Sequence, residues 1–270
     1  KYYFERASTD EEEVIKNEES NTILITTRHD SHSELVIKSL EAGKNVFVEK
    51  PLCLKIKELE SIKNSYKAIN TADFNKKILM VGFNRRFSPL IKIIKEKIDK
   101  NADPKAFIYT CNAGFVPKDS WINDPLIGGG RLLGEACHFL DLLLYLSNSQ
   151  IKDISLNSSS KDKQIGDIFS IQIKFENDSI GTINYLSNGS KSYPKERLEV
   201  FNAGSIYCLE NFRILKTWGV AGNKKIRLLK QNKGQDECVK AFLEAIKKGT
   251  KPPIPADEIF MVHSALLSLL

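Results

Sequence analysis

The chain has 270 residues, with 40 basic and 34 acidic side chains, a formal net charge of +6 and 41% hydrophobic residues. This length suits one large or two modest domains, and the apolar content is sufficient for a proper core. The charges are interspersed, and no basic stripe alternates with aromatic residues, which argues against nucleic-acid binding. No apolar run reaches the ~18 residues of a membrane span, so no membrane association is expected.

The five cysteines are scattered along the chain and odd in number. No pair has the spacing of metal ligands, so we predict no metal site. Buried thiols in a reducing cytoplasmic setting are the expectation. The residues are Cys53, Cys111, Cys137, Cys208 and Cys238.

Strand and helix patterns alternate over the first third of the chain. A buried-strand pattern at 23–25 precedes a capping box from Ser31 to Glu34, and Gly43 closes the helix that follows. A second strand at 46–48, a helical repeat of isoleucine and leucine, and a third strand at 78–83 come next. This order predicts parallel strands joined by right-handed crossovers.

The pattern changes at Ser88 and Pro89, which are typical of the N-cap and first turn of a new helix. A helix is also expected over 128–146. Long alternating segments follow at 169–175 and 180–186, with further strand-like runs at 198–201, 205–209 and 225–229. They predict a large, mainly antiparallel sheet with one packed face and one free face.

The segment 42–52 carries the most information. A helix ends at Gly43, a short β-branched strand follows, and the strand stops at Glu49, Lys50 and Pro51. Ligands of open α/β sheets lie at the carboxyl ends of strands, so these side chains are expected at the site of chemistry. A lysine there can exchange protons with a substrate hydroxyl; the alternative is a solvated lysine before a turn proline. A cis bond before Pro51 is possible, since X-Pro bonds are the ones that adopt cis readily.

Four segments, taken in order, resemble the signature of the glucose–fructose oxidoreductase / inositol dehydrogenase (Gfo/Idh/MocA) family. They are 26–32 (Thr-Thr-Arg-His-Asp-Ser-His), 41–52 (Glu-Ala-Gly-Lys-Asn-Val-Phe-Val-Glu-Lys-Pro-Leu), 81–87 (Val-Gly-Phe-Asn-Arg-Arg-Phe) and 128–141 (Gly-Gly-Gly-Arg-Leu-Leu-Gly-Glu-Ala-Cys-His-Phe-Leu-Asp). The family's phosphate-binding Gly-x-Gly-x-x-Gly turn is absent here. We therefore expect an N-terminally truncated member, the alternative being a natural half-domain. The Gly-Glu-Ala-Cys-His sequence at 134–138 resembles a branch of the family that is often fused behind an alcohol-dehydrogenase-like domain.

The resemblance defines the expected fold class and its division. The class is α/β. Residues 1–87 are expected to form the C-terminal part of a Rossmann-like dinucleotide-binding domain without its glycine-rich turn. Residues 88–270 are expected to form an α+β substrate and oligomerisation domain with a large open sheet, which in the family often builds a dimer or tetramer interface. Ile180 and Tyr185 are predicted to lie on its free face.

The resemblance also implies roles for individual residues. Lys50 would contact substrate and nicotinamide together, and His138 would share the proton transfer. Helical spacing places His138 on one face with Glu135 and Asp141, and a carboxylate beside a histidine can set its tautomer. Gly134 stands where the family usually has the aspartate of Asp-x-x-x-His. Either Glu135 replaces that carboxylate, or His138 and Lys50 suffice without it, or the catalytic activity is lost.

The remaining site predictions follow the same motifs. Arginine suits polyhydroxylated or anionic ligands; for Arg85 an interdomain salt bridge is the alternative. Trp121 is either the floor of a sugar pocket or core. The full assignment is catalytic Lys50, His138 and Glu135; cofactor-binding Thr27, His29, His32, Glu49, Lys50 and Pro51; substrate-binding Asn84, Arg85, Trp121 and Asp141.

The resemblance implies an NAD- or NADP-dependent oxidoreductase acting on a hydroxyl of a sugar, cyclitol or nucleotide sugar, and functioning as a homo-oligomer. The residue that distinguishes NAD from NADP is not identified. One alternative is a non-catalytic binding or assembly module of the same fold. A zinc enzyme using His29, His32, His138 and Cys137 is disfavoured, because the spacing lacks a zinc motif.

Overall fold

The computed structural model describes residues 4–71, 76–117, 119–159, 166–222 and 224–270. The helices are α1 Glu11–Lys16, α2 His32–Glu41, α3 Ile56–Ile69, α4 Pro89–Ile98, α5 Cys137–Ser147, α6 Gln235–Lys248 and α7 Ala256–Leu267. The strands are β1 Thr22–Ile25, β2 Asn45–Val48, β3 Leu79–Val81, β4 Ala106–Asn112, β5 Ile151–Ser158, β6 Phe169–Phe175, β7 Ile180–Leu186, β8 Glu196–Asn202, β9 Ser205–Glu210, β10 Ile214–Trp218 and β11 Lys225–Arg227.

Strands β1, β2 and β3 form a parallel sheet in that order, as the sequence predicts. All four residues of β2 are buried, because the strand is central and both of its faces are covered. Phe47 packs edge-to-face on Phe242 of α6, with ring centroids 5.5 Å apart. Its neighbours Val46 and Val48 point to the other face, since side chains alternate along a strand.

The other eight strands form one sheet in the order β11-β10-β9-β8-β4-β7-β6-β5. Only the β4–β7 pair is parallel, so the prediction of a mainly antiparallel sheet is confirmed. Strands β5 and β10 were not anticipated. Strand β5 lies at the sheet edge, and its burial pattern alternates between half-buried and exposed, which is a weak sequence signal.

Helix α5 covers one face of this sheet. Phe139 stacks on Tyr109 of β4, with centroids 4.4 Å apart, and also stacks on Tyr185 of β7. Tyr185 is therefore buried on the packed face, and its assignment to the free face was wrong. Ile180 does lie on the free face, 55% exposed, because it is five positions from Tyr185 and an odd offset along a strand places two side chains on opposite faces.

The last two helices return to the parallel sheet. His263 of α7 stacks on Phe83, which follows β3, and its ring also contacts the chain beyond β2 through Leu52. Helix α6 lies over Phe47. The boundary at 87/88 remains a prediction, but α6 and α7 contribute to the first sheet's core although they lie in the second predicted domain. In the described ranges, no helix is both long and apolar enough to cross a membrane.

Candidate active site

Polar segments follow each strand of the parallel sheet at the edge where its carboxyl ends meet. Glu49, Lys50 and Pro51 follow β2, and the Lys50–Pro51 bond is cis, which was one of the two possibilities for this X-Pro bond. The main-chain N–H of Leu52 donates to Nε2 of His263 at 2.8 Å. His32 contacts the Pro51 carbonyl oxygen through Nδ1 at 2.7 Å. The loop that presents Lys50 is thus held from both sides.

The Lys50 ammonium meets the start of α5. Its Nζ donates to the carbonyl oxygen of Gly134 at 2.5 Å and lies 3.4 Å from Oε1 of Glu135. Residues Leu132–Ala136 form a π-helical turn, a feature common at functional sites, and Gly134 lies inside this turn. Burial disfavours the Glu135 carboxylate, but Lys50, Arg131 and Arg85 outweigh burial and lower the pKa of Glu135.

His138 lies one turn further along the same helix. It is 7% exposed, and its Nδ1 has no hydrogen-bond partner among the described residues. Burial, reinforced by the charges of Arg85, Lys50 and Lys233, lowers the pKa of His138 well below its usual value. The imidazole is therefore neutral at pH 7, and a neutral imidazole can accept a proton.

A cavity of about 270 Å³ opens beside His138, between the ends of β2 and β3 and the start of α6. The Glu49 carboxylate borders it and lies over Gly82, where any Cβ would come within 3.0 Å of Oε1. The lining residues are Phe47, Glu49, Gly82, Asn84, Arg85, His138, Lys233, Gln235, Cys238 and Val239. Lys233 and Gln235 were missed by the sequence analysis, because no local motif marks the segment before α6.

Arg85 lines this cavity while holding a buried carboxylate. Its Nε and Nη2 donate to the two oxygens of Glu196, at 2.9 and 3.2 Å. Glu196 also accepts from Tyr109 Oη and Lys233 Nζ, each at 2.5 Å. Burial raises the pKa of Glu196, but Arg85 and Lys233 prevail and lower it to about 2. The salt-bridge interpretation of Arg85 therefore describes its contacts, although the side chain still borders the cavity.

Glu196 was also missed, although the sequence holds a signal for it. In β8 the inward positions alternate from residue 196, and Glu196 precedes the apolar Leu198 and Val200 on the same face. A charged residue in such a row needs a buried partner. The sequence does not show which partner that is, because Arg85 lies more than a hundred residues away.

Asp141 does not contribute to the cavity. Its carboxylate is fully buried and accepts from Nε of Arg86 at 3.0 Å and from Nη2 at 2.5 Å. Glu258 accepts from the same guanidinium at 2.8 Å. Burial raises the pKa of Asp141 to about 6 despite Arg86. Its assignment as a substrate ligand is therefore corrected: Asp141 is the structural partner of Arg86.

Thr27 and His32, two of the predicted cofactor-binding residues after β1, differ in burial. Thr27 is exposed and its hydroxyl lies 2.7 Å from that of Ser31, which makes no capping bond to helix α2, so the predicted capping box does not form. His32 is fully buried, with both ring nitrogens near backbone carbonyls, at 2.7 and 3.2 Å. His32 thus supports the loop rather than lining the cavity.

His29 and Trp121 lie together near the π-helical turn. Their rings meet edge-to-face with centroids 4.9 Å apart. The rings of His29 and His32 are 5.6 Å apart, and no group of three or more His, Cys, Asp or Glu side chains in the described part of the chain is arranged to hold a metal ion. The geometry gives the zinc alternative no support.

Comparison with known proteins identifies two family models in the chain. Residues 1–83 match the model described as oxidoreductase family, NAD-binding Rossmann fold, and residues 102–205 match the GFO/IDH/MocA C-terminal domain. Myo-inositol 2-dehydrogenase of Thermotoga maritima is 24% identical over 269 residues, covering 94% of this chain and 78% of that enzyme. Scyllo-inositol 2-dehydrogenase (NAD(+)) of Bacillus subtilis is 30% identical over 154 residues, covering 56% of this chain and 42% of the relative.

Solved structures share the fold. Levoglucosan dehydrogenase in complex with NADH and levoglucosan superimposes with a TM-score of 0.83 at 19% identity, covering 97% of this chain and 80% of that one. UDP-N-acetylglucosamine 3-dehydrogenase from Acidithiobacillus ferrooxidans superimposes with a TM-score of 0.79 at 17% identity, covering 98% and 81%.

Proposed function

The chain belongs to the Gfo/Idh/MocA family of NAD-dependent oxidoreductases, and on that premise we propose that it oxidises a hydroxyl of a sugar, cyclitol or nucleotide sugar, or reduces the matching ketone. Lys50 and His138 carry the proton. The single observation behind this proposal is that the Lys50 ammonium, held by Gly134 and Glu135, meets the start of helix α5 one turn before the His138 ring that borders the cavity.

The cavity beside His138 has the chemistry that the nicotinamide end of the cofactor needs. Glu49 offers a carboxylate acceptor for ribose hydroxyls, and Asn84 offers an amide. Gly82 has no side chain at the point where Glu49 lies closest, so the carboxylate stays beside the cavity. The nicotinamide supplies the hydride acceptor or donor when it is bound.

The chain's own residues handle the proton. Oxidation of a carbinol releases one hydroxyl proton, which needs an acceptor within hydrogen-bond distance. His138 is neutral at pH 7 and borders the cavity, so its ring can take part directly. Lys50 is held by the Gly134 carbonyl and Glu135, which fix its Nζ at the sheet edge. The main-chain carbonyl of Gly134 thus gives Lys50 a partner although residue 134 has no side chain.

We also propose that the free face of the eight-stranded sheet mediates self-association. Register places Ile180, Phe201 and Trp218 in one row across that face, through Ala106 and Ile206. The three are 55%, 37% and 52% exposed, respectively. A contiguous apolar row of this kind on a sheet is the usual mark of a protein interface.

The function is tested with the full-length protein, by following NADH formation with inositols, levoglucosan and UDP-sugars as substrates. Lys50→Ala and His138→Ala should each lower kcat by ~10²–10⁴-fold, the scale of a general acid–base group, with little change in cofactor affinity. Lys57→Ala, at an exposed position of α3, is the matched control and should keep full activity. Full activity in both site variants would refute the assignment. Ligand binding without any turnover would favour the binding-module alternative.

A further inference from the structure

His29 connects the first sheet to the segment that leads into the π-helical turn, and the proposed chemistry does not use it. The residue follows β1 and is 9% exposed. Its Nδ1 lies 2.8 Å from the carbonyl oxygen of Gly128, and its ring meets Trp121 edge-to-face. Burial, which outweighs the bond to Gly128, lowers the pKa of His29, so the ring is neutral at pH 7 and Nδ1 donates to that carbonyl.

Gly134 lies directly against this ring. A Cβ built on Gly134 would come 3.3 Å from Cε1 of His29 and 3.8 Å from Nδ1, the first distance being tighter than an ordinary contact. Gly134 is not among the glycines with positive φ, so its backbone does not require glycine. A glycine inside a helical turn is less favourable than alanine. The missing side chain therefore makes room for His29.

The same residue carries the acceptor of Lys50. The carbonyl oxygen of Gly134 lies 2.5 Å from Lys50 Nζ. His29 and Lys50 thus both contact residue 134, one at the space a side chain would fill and the other at its carbonyl. A displacement of this turn moves the partner of the ammonium directly, and a misplacement of ~1 Å at a catalytic group can cost ~10²-fold in rate.

We infer that His29 is a positioning residue for Lys50: its ring, seated on Gly134, holds the π-helical turn with the 134 carbonyl directed at the lysine. His29 and Gly134 act as one unit: the ring occupies the space that a side chain at 134 would fill, and the ring in turn holds the π-helical turn in place. The inference rests on the proposed function only in giving Lys50 a catalytic role. The arrangement itself can be measured without turnover.

The test is a double-mutant cycle of His29→Ala and Gly134→Ala in the full-length protein. The primary measurement is the rate at which an N-hydroxysuccinimide ester acylates Lys50, quantified by mass spectrometry. Each single variant should raise this rate several-fold, because a Lys50 released from its carbonyl is more accessible. The double variant should match His29→Ala, because the new methyl then occupies the space left by the ring.

The second measurement is kcat in the same four proteins, with an expected loss of ~10–10²-fold that follows the same pattern. His29→Gln, which keeps a donor for the Gly128 carbonyl, should recover part of the loss. Gly249→Ala, where φ is +60° and no neighbour is near, controls for backbone strain at a glycine remote from the π-helical turn and should leave the labelling rate unchanged. Thermal unfolding of each variant identifies any that fail to fold, and His29→Gln then replaces His29→Ala in the cycle.

The labelling rate decides the inference. Unchanged labelling in the folded single variants, or effects that add in the double variant, would overturn it. The coupled labelling pattern in a protein that shows no turnover would support the positioning role and refute the proposed function. Turnover with additive labelling effects would support the function and overturn the role of His29.

Discussion

His263 gives the sharpest test of how the loop carrying Lys50 is held. The ring is fully buried and stacks on Phe83, with centroids 5.7 Å apart. Its Nε2 accepts from the main-chain N–H of Leu52 at 2.8 Å, and Nδ1 lies 2.8 Å from the carbonyl oxygen of Ile259. An Nε2 that accepts cannot carry a proton, so the native state requires the neutral imidazole.

The size of the effect follows from the pKa. Burial lowers the pKa of His263 from 6.5 to about 4, although the bond to Ile259 opposes it. A lowered histidine pKa means that the unfolded chain binds the proton more tightly than the folded one, so the contribution is present above pH 6.5 and is lost as pH falls towards 4. At ~1.4 kcal/mol per pKa unit, the full contribution is about 3 kcal/mol, and about 2 kcal/mol of it is lost between pH 7 and pH 5.

The measurement is urea unfolding at pH 7 and pH 5 for the wild type, His263→Gln and His263→Phe. Glutamine can still accept from Leu52 and does not titrate, so the wild type should lose about 2 kcal/mol more than this variant between the two pH values. Phenylalanine keeps the stacked ring but leaves the Leu52 N–H unpaired, which should cost ~1–3 kcal/mol at pH 7. The other buried histidines are present in all three proteins and cancel. Equal pH dependence in the wild type and His263→Gln would refute the reasoning.

Three further predictions concern separate parts of the molecule. Glu135→Gln removes the carboxylate beside Lys50. Because a negative charge favours the protonated form of a neighbouring group, its loss should move the acidic limb of the pH–rate profile to lower pH. An unchanged profile would mean that Glu135 takes no part in the reaction. Glu196→Leu removes the shared carboxylate of the buried Arg85 and the half-buried Lys233. It should cost ~3–5 kcal/mol in urea unfolding, and a loss under ~1 kcal/mol would contradict the buried network. Trp218→Lys should reduce the oligomer in light scattering, while Leu229→Lys, at a 95% exposed position, should not; a wild-type monomer across micromolar concentrations would exclude the interface.

Local sequence pattern was sufficient to predict much of the fold of this protein. Apolar runs of three to six residues between helical repeats predicted the parallel sheet, because a buried strand must be apolar on both faces. Alternation predicted β6 and β7, and the strand end predicted where Lys50 lies. Each of these depends on residues close together in the chain, where periodicity relates sequence to structure directly.

Long-range contacts decided the rest. Helical spacing placed Asp141 with His138, but Arg86, 55 residues away, takes both of its carboxylate oxygens. Strand alternation could mark Glu196 as buried, yet only packing across the two sheets brings Arg85 and Lys233 to it. The π-helical turn has no sequence signature here. From the sequence, Gly134 looks like the loss of a functional side chain, whereas the structure shows that the His29 ring lies where that side chain would be. The sequence thus determined which residues reach the sheet edge, whereas tertiary packing determined their partners, because a buried charge is paired by whatever the fold brings within hydrogen-bond distance.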